Sequence, residues 1–206
     1  MGLTTGLVPP QIASASEATS VVNVLPLTAS PTPTITGTAK VGLTLTAVAG
    51  TWSPAPVNLT YQWSAGGIPI VGATASTYVV VAANIGKSIT VKVTGTKLGY
   101  ITVSKISLAT ALVVAGSLTA TPTPTITGTA ILGLTLTAAP GTWTPAPVVL
   151  TYQWYVGGIP VLGATSSTFL LVGLNVGNLV TVTVTGTKVG YVTVSKTSAP
   201  TSIGLF

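Results

Sequence analysis

Residues 50–63 read GTWSPAPVNLTYQW, and residues 141–154 repeat them as GTWTPAPVVLTYQW. In both copies a turn rich in Gly and Pro leads into a run where aromatic residues alternate with Thr and Gln. Such period-two alternation predicts a β-strand with one buried face and one solvent-facing side. The stretch therefore predicts β structure, and Trp63 and Trp154 are expected in the core.

The repetition extends far beyond this stretch. Residues 31–106 align without a gap with residues 122–197, at a constant offset of 91, and 52 of the 76 positions are identical. A long unit copied in tandem predicts two similar modules rather than one large domain. We predict an N-terminal arm at 1–28, a first domain at 29–115 and a second domain at 116–206.

Within the repeat unit, alternating segments are separated by turn signals rich in Gly, Pro and Asn. Seven short strands are predicted in the first copy, near residues 33–37, 42–48, 58–64, 68–71, 76–82, 88–94 and 100–106. Seven strands at this spacing are typical of a sandwich of two antiparallel sheets, with a core Trp on the third strand. The predicted fold is all-β: two tandem immunoglobulin-like antiparallel β-sandwich domains preceded by an extended N-terminal arm.

The composition excludes most enzyme chemistry. Only 4% of the 206 residues are charged, there is no His or Cys, and the single acidic residue is Glu17. General acid–base catalysis needs a titratable group near neutral pH, and zinc and calcium sites need Cys, His or several carboxylates. We therefore predict no enzymatic activity, no catalytic residue, no cofactor and no metal.

The charge pattern bears on partners. The formal charge of +6 comes from isolated Lys residues without Arg, whereas nucleic-acid binding favours a basic stripe. The most apolar run, residues 106–118, is shorter than the roughly 20 residues that span a bilayer. We expect no nucleic-acid or membrane partner and no secretory signal. So little surface charge permits close packing of copies. A homo-oligomer, with the symmetry of any particle that carries it, is compatible with this composition.

The first 28 residues include an apolar group, Val21, Val22, Val24 and Leu25. Termini of this kind are often disordered. An apolar arm can also become ordered by lying along a partner and adding a strand to a sheet edge. The sequence leaves both alternatives open, and these four residues are the candidate docking residues.

Five aromatic residues are candidates for surface binding. Trp52 and Trp143 each lie in a Gly-Thr-Trp turn, where the indole either closes one end of the sandwich or is exposed to stack on a sugar ring. Tyr100 and Tyr191, in Gly-Tyr turns, present the same choice. Tyr155 replaces Ser64 of the first copy and favours the second module for outward contact.

The strings GTWSPAP, LTYQW, GATASTY and ITVKVTG carry a family resemblance. They resemble the immunoglobulin-like repeats of bacterial, especially actinobacterial, surface proteins, and similar modules are appended to tailed-phage virion proteins. The resemblance covers nearly all of residues 29–198. It implies an adhesive or display module and provides no catalytic residue to transfer.

From this resemblance we expect a non-enzymatic structural or display protein of a tailed bacteriophage virion, most simply a capsid decoration protein. The N-terminal arm would dock on the major capsid protein or another virion protein, and the two modules would project outward. Weak adhesion to a host-surface glycan or protein would follow. Such a protein is assembled in the host cytoplasm and exposed on the particle surface. The alternatives are a phage tail or fibre component, or a bacterial cell-surface adhesin module that binds carbohydrate or protein.

Overall fold

A computed structural model describes residues 24–204 of the chain. Its first module contains seven strands: β1 (Thr34–Thr36), β2 (Thr44–Val48), β3 (Asn58–Ala65), β4 (Ile68–Pro69), β5 (Thr77–Val79), β6 (Ile89–Thr96) and β7 (Val103–Ile106). The second contains β8 (Thr125–Thr127), β9 (Thr135–Ala139), β10 (Val149–Val156), β11 (Ile159–Pro160), β12 (Thr168–Leu170), β13 (Leu179–Thr187), β14 (Val194–Thr197) and β15 (Thr201–Ser202). Two short 3-10 turns, Ala82–Asn84 and Gly173–Asn175, are the helical elements of the described residues.

Each module is a sandwich of two antiparallel sheets. In module 1 the sheets have the strand orders β1-β2-β5 and β4-β3-β6-β7, and module 2 repeats them as β8-β9-β12 and β11-β10-β13-β14. The additional strand β15 pairs with β13. This is an immunoglobulin-like arrangement. The predicted fold class, two tandem all-β sandwiches, is confirmed, and each of the seven strands expected in the first copy is present.

The core of each module is built around the Trp of its third strand. Trp63 is fully buried, its ring stacks on Tyr78 at 5.8 Å, and its indole N–H donates to the Ala75 carbonyl at 2.9 Å. In module 2, Trp154 stacks on Phe169 at 5.3 Å and is also fully buried. The prediction that these two Trp residues lie in the core is confirmed. Because each indole N–H has a partner, its burial leaves no donor unsatisfied.

The solvent-facing sides of the larger sheets are held by hydroxyl pairs. The side-chain oxygens of Thr94 and Ser104 lie 2.7 Å apart across β6 and β7. In module 2 two such pairs bridge β13 and β14, Thr185 with Ser195 at 2.7 Å and Thr183 with Thr197 at 2.8 Å. Residues 24–204 contain no carboxylate side chain, so these cross-strand contacts take the place of ion pairs.

The start of module 1 lies earlier than the predicted boundary. Leu25 donates its N–H to the Gly99 carbonyl at 2.9 Å and accepts from the Ile101 N–H at 2.8 Å, and Ala29 forms a bridge with Ser53. Gly116, which is 91 residues after Leu25, makes the same pair of bonds to the turn at Tyr191. Residues 25–28 of the predicted arm therefore belong structurally to the module, because their backbone is hydrogen-bonded to it. Val21 and Val22 lie outside the described residues.

Candidate interaction surface

Three segments meet at one end of module 1. They are residues 24–29, the loop 49–57 between β2 and β3, and the turn 97–102 between β6 and β7. We call this end the N-terminal pole of module 1. The equivalent end of module 2 is formed by residues 115–120, 140–148 and 188–193.

Trp52 closes this pole from the inside. It is only 5% exposed, and its indole N–H donates to the Ala49 carbonyl at 3.0 Å. Its ring lies so close over Gly95 that a Cβ added to that glycine would overlap it. Trp143 is equally buried, and it packs in the same way over Gly186.

The interpretation of Trp52 and Trp143 as exposed platforms for a sugar ring is therefore wrong. Their rings lie against a glycine of a neighbouring strand, and their N–H groups are used internally. The alternative that the sequence left open, closure of the sandwich end, is the one that the structure shows. The signal that could have decided it is Gly95, since a glycine in a strand interior often marks a close approach.

A lysine links two of the loops at each N-terminal pole. The Lys97 ammonium donates to the Pro56 carbonyl at 3.1 Å and lies 5.5 Å from the centre of the Tyr100 ring. Lys188 does the same in module 2, donating to Pro147 at 3.0 Å and facing Tyr191 at 5.5 Å. In the sequence these lysines stand out only as isolated charges. The recurrence of a Lys three residues before a Tyr in both copies was the available signal.

The outer surface of the module 1 pole is apolar. Leu98 at the tip of the turn is fully exposed, and Val24, Leu25 and Ile101 are each about half exposed around the partly buried Tyr100. Beside them runs a groove of about 560 Å³ lined by Pro56, Val57, Asn58, Thr96, Lys97 and Leu98. The Lys97 ammonium donates one hydrogen bond to the Pro56 carbonyl but keeps its charge, so a partner docked here must leave this group hydrated or accept a hydrogen bond from it.

The same pole of module 2 is in contact with module 1. The Tyr191 ring packs against the core of module 1, and its hydroxyl touches Gly42. A Cβ added to Gly116 would lie 2.6 Å from the Tyr191 ring and 2.7 Å from the Val41 carbonyl oxygen. The Lys40 ammonium donates to the Ser117 hydroxyl at 2.8 Å. We call this contact the junction.

The five aromatic candidates do not form one site. Two are internal, Tyr191 lies in the junction, and Tyr100 lies at the exposed pole. Tyr155 is partly buried on the outer side of the larger sheet of module 2, between its strand neighbours Thr181 and Pro160. Of the docking candidates, Val24 and Leu25 fall on the module 1 pole, next to Tyr100.

This surface provides contact area rather than reactive groups. Within residues 24–204 no group of three metal-ligating side chains comes together. Among the described residues, burial raises the pKa of Tyr78, an effect partly offset by the hydrogen bond that its hydroxyl donates to Asn84 at 2.7 Å. This Tyr lies away from the pole. No helix of the described part is long and apolar enough to cross a bilayer.

Comparisons with known proteins add a distant similarity in fold. No protein-family model and no curated protein matches the chain. Among solved structures, it is similar to a Ca²⁺-stabilized adhesin that helps an Antarctic bacterium bind ice, with 14% identity and a TM-score of 0.38 over 85% of this chain and 49% of that one. It is also similar to three N-terminal domains of the bacteriophage RB49 Highly Immunogenic Outer Capsid protein, with 21% identity and a TM-score of 0.37 over 81% and 58%. Tandem Ig repeats of Dlar match with 11% identity and a TM-score of 0.27 over 85% and 95%. The chain thus spans about half the length of the adhesin structure and about three fifths of the capsid-protein structure. Its fold assignment rests on the strand order described above.

Proposed function

We propose that this chain is a non-enzymatic display protein that acts through its contact surfaces. The observation that carries the proposal is the N-terminal pole of module 1, where Leu98, Ile101 and Leu25 are exposed around Tyr100. Exposed apolar side chains of this kind gain free energy when they are buried against another protein.

The partner that we propose is the major capsid protein, or another virion protein, of a tailed bacteriophage. Residues 1–23 precede Val24, which lies at the pole, so an arm docked on a particle brings this pole to the particle surface. The two modules are then directed away from it, as in a capsid decoration protein. The resemblance of the repeats to modules of virion proteins supports this assignment. The proposed location of the chain is the surface of the particle.

The experiment uses particles of the phage whose genome encodes the chain. Leu98→Ser combined with Ile101→Ser should reduce the number of bound copies at limiting concentration by at least tenfold, because each buried aliphatic side chain contributes about 1.5 kcal/mol or more. Leu162→Ser is the matched control, since Leu162 is fully exposed in module 2. Deletion of residues 1–23 should also reduce binding. Particle occupancy that is unchanged by both the pole variant and the deletion would refute the docking proposal.

Weak host-surface adhesion is the second part of the proposal. Tyr155 lies between Thr181 and Pro160 on the outer side of module 2, an uncharged environment suited to a neutral glycan. Tyr155→Ser restores the residue that module 1 carries at Ser64, so the fold should accept it. Retention of decorated particles on host cells should fall in this variant. Unchanged retention would remove Tyr155 from the adhesive surface and leave the docking proposal untouched.

A further inference from the structure

The end of module 2 opposite its N-terminal pole is formed by three segments. Residues 130–134, 171–179 and 203–204 are joined there by backbone hydrogen bonds, from Gly204 to the Ala130 carbonyl and from Gly133 to the Leu171 carbonyl, both at 2.9 Å, and from Ile203 to the Asn178 carbonyl at 3.2 Å. We call this end the C-terminal pole of module 2.

The two copies of the repeat differ at this pole, where module 2 has fewer charged and more apolar side chains than module 1. Ile131 stands where module 1 has Lys40, and Asn178 stands where module 1 has Lys87. Leu179, which is 51% exposed, replaces Ser88. Module 2 has therefore lost both lysines of this pole and gained apolar surface.

The equivalent pole of module 1 is in contact with module 2. Module 2 covers the part of it around Val41, which is only 5% exposed, while Leu132 at the same place in module 2 is 40% exposed. Lys40 takes part in that contact through Ser117. Because Ile131 cannot make this hydrogen bond, the C-terminal pole of module 2 is not built to receive a module in the same way.

The N-terminal pole of a second copy is a poor partner for the C-terminal pole of module 2. It would lack the hydrogen bond that Lys40 makes in the junction, and it carries Leu25 where the junction has Gly116. The junction needs Gly116, whose place cannot hold a Cβ without displacing Tyr191. Leu25 holds that place in module 1 and is bonded identically to its own Tyr turn. A Leu side chain thus stands where the junction requires the smallest residue, and this blocks end-to-end stacking of copies.

We propose that the C-terminal pole of module 2 pairs with the same pole of a second copy about a two-fold axis. In such a contact each residue approaches its own counterpart. Lysines at positions 131 and 178 would place like charges opposite one another, and their absence from this pole removes that repulsion. The apolar residues Leu132, Leu134, Val172 and Leu179 supply the area that is buried. This pairing does not depend on the proposed virion partner.

The test is the oligomeric state of the full chain by sedimentation velocity over a range of concentrations. The triple variant Ile131→Lys, Asn178→Lys and Leu179→Ser restores the residues of module 1, which that module tolerates within the same fold. We expect a monomer–dimer equilibrium for the natural chain and a dimer dissociation constant at least tenfold higher for the variant. Leu162→Ser, outside the pole, should leave dimerisation unchanged, and equal melting temperatures would show that the triple variant is folded.

Cross-linking gives an independent measurement because the chain contains no Cys. A short bismaleimide should link two copies of a Leu132→Cys variant and should not link copies of a Leu98→Cys variant, whose thiol lies at the opposite end of the tandem. A natural chain that stays monomeric at millimolar concentration would overturn the proposal. So would a dimer that the triple variant leaves intact, or a ladder of higher oligomers that depends on position 98.

Discussion

Asn84 and Asn175 occupy equivalent turns in the two modules and differ by one hydrogen bond. Both side chains are buried. The side-chain oxygen Oδ1 of Asn84 accepts from the Val81 N–H at 3.0 Å and from the Tyr78 hydroxyl at 2.7 Å. Within the described residues, Oδ1 of Asn175 accepts only from the Val172 N–H, at 2.8 Å.

Replacement of each Asn by Ala should therefore have unequal costs. A hydrogen bond contributes about 1 kcal/mol net, so Asn84→Ala should lower the opening free energy of module 1 by about 2 kcal/mol and Asn175→Ala that of module 2 by about 1 kcal/mol. The difference belongs to the hydroxyl of Tyr78, because module 2 has Phe169 in its place. In a Tyr78→Phe background the cost of Asn84→Ala should fall to about 1 kcal/mol, which makes a double-mutant cycle.

Native-state hydrogen exchange is the appropriate assay, since the amides of β6 and β13 report the opening of each module separately. The two Asn variants can be compared because their backbone turns are equivalent, with the Asn84 N–H donating to the Val81 carbonyl at 3.0 Å and the Asn175 N–H to the Val172 carbonyl at 2.8 Å. Equal costs in the two modules, or a coupling between positions 78 and 84 near zero, would refute the assignment of the second hydrogen bond as a stabilising one.

Three further predictions concern packing, pH and the junction. Gly186→Ala should destabilise module 2 by about 1–3 kcal/mol in chemical denaturation, because the added methyl group overlaps the Trp143 ring. Gly173→Ala is the control, since its methyl group meets no atom within 4 Å and should change stability by less than about 0.5 kcal/mol. Equal effects of the two substitutions would contradict the packing argument. Burial raises the pKa of Tyr78, so the folded state holds this proton more tightly than the unfolded chain. The stability that results is complete below about pH 10 and is lost as the pH rises above that value, and Tyr78→Phe should remove this part of the alkaline loss in a pH titration of unfolding. Gly116→Leu should expel Tyr191 from the junction, seen as faster hydrogen exchange and shifted NMR resonances around module 1 residue Val41 with both melting transitions retained; an unchanged spectrum would mean that the glycine is not required.

Local patterns sufficed to predict the strands and the central core. Alternation along β3 and β6 needs only a short window, and it correctly marked Trp63 as an inward residue. The fold class follows because seven such strands with intervening turns have few ways to bury one face each. The boundary between the N-terminal arm and module 1 was less readable, since Leu25 is held by backbone bonds that leave no mark on its side chain.

The N-terminal pole of each sandwich and the junction depend on residues far apart in the chain. Whether Trp52 is buried is decided by Gly95, which lies on another strand, and the role of Lys97 is decided by the carbonyl of Pro56. The last strand shows a further limit. Lys87 and Asn178 are 91 residues apart, but their partners Val113 and Ile203 are 90 apart, so the constant offset ends before the modules do. A repeat alignment gives equivalence of position, and only the pairing of strands shows where that equivalence stops.

The hydroxyl pairs that bridge β6 with β7 and β13 with β14 have a consequence for the settings in which the molecule can work. Such pairs carry no net charge, so dissolved salt has little to screen and protonation has little to alter. Residues 24–204 contain no Asp, Glu, His or Cys, the side chains that ordinarily titrate between about pH 4 and pH 9, so the composition provides no side-chain type that would make the free energy of unfolding of the modules strongly pH-dependent there. Modules held together in this way are expected to keep these contacts in dilute and in concentrated salt.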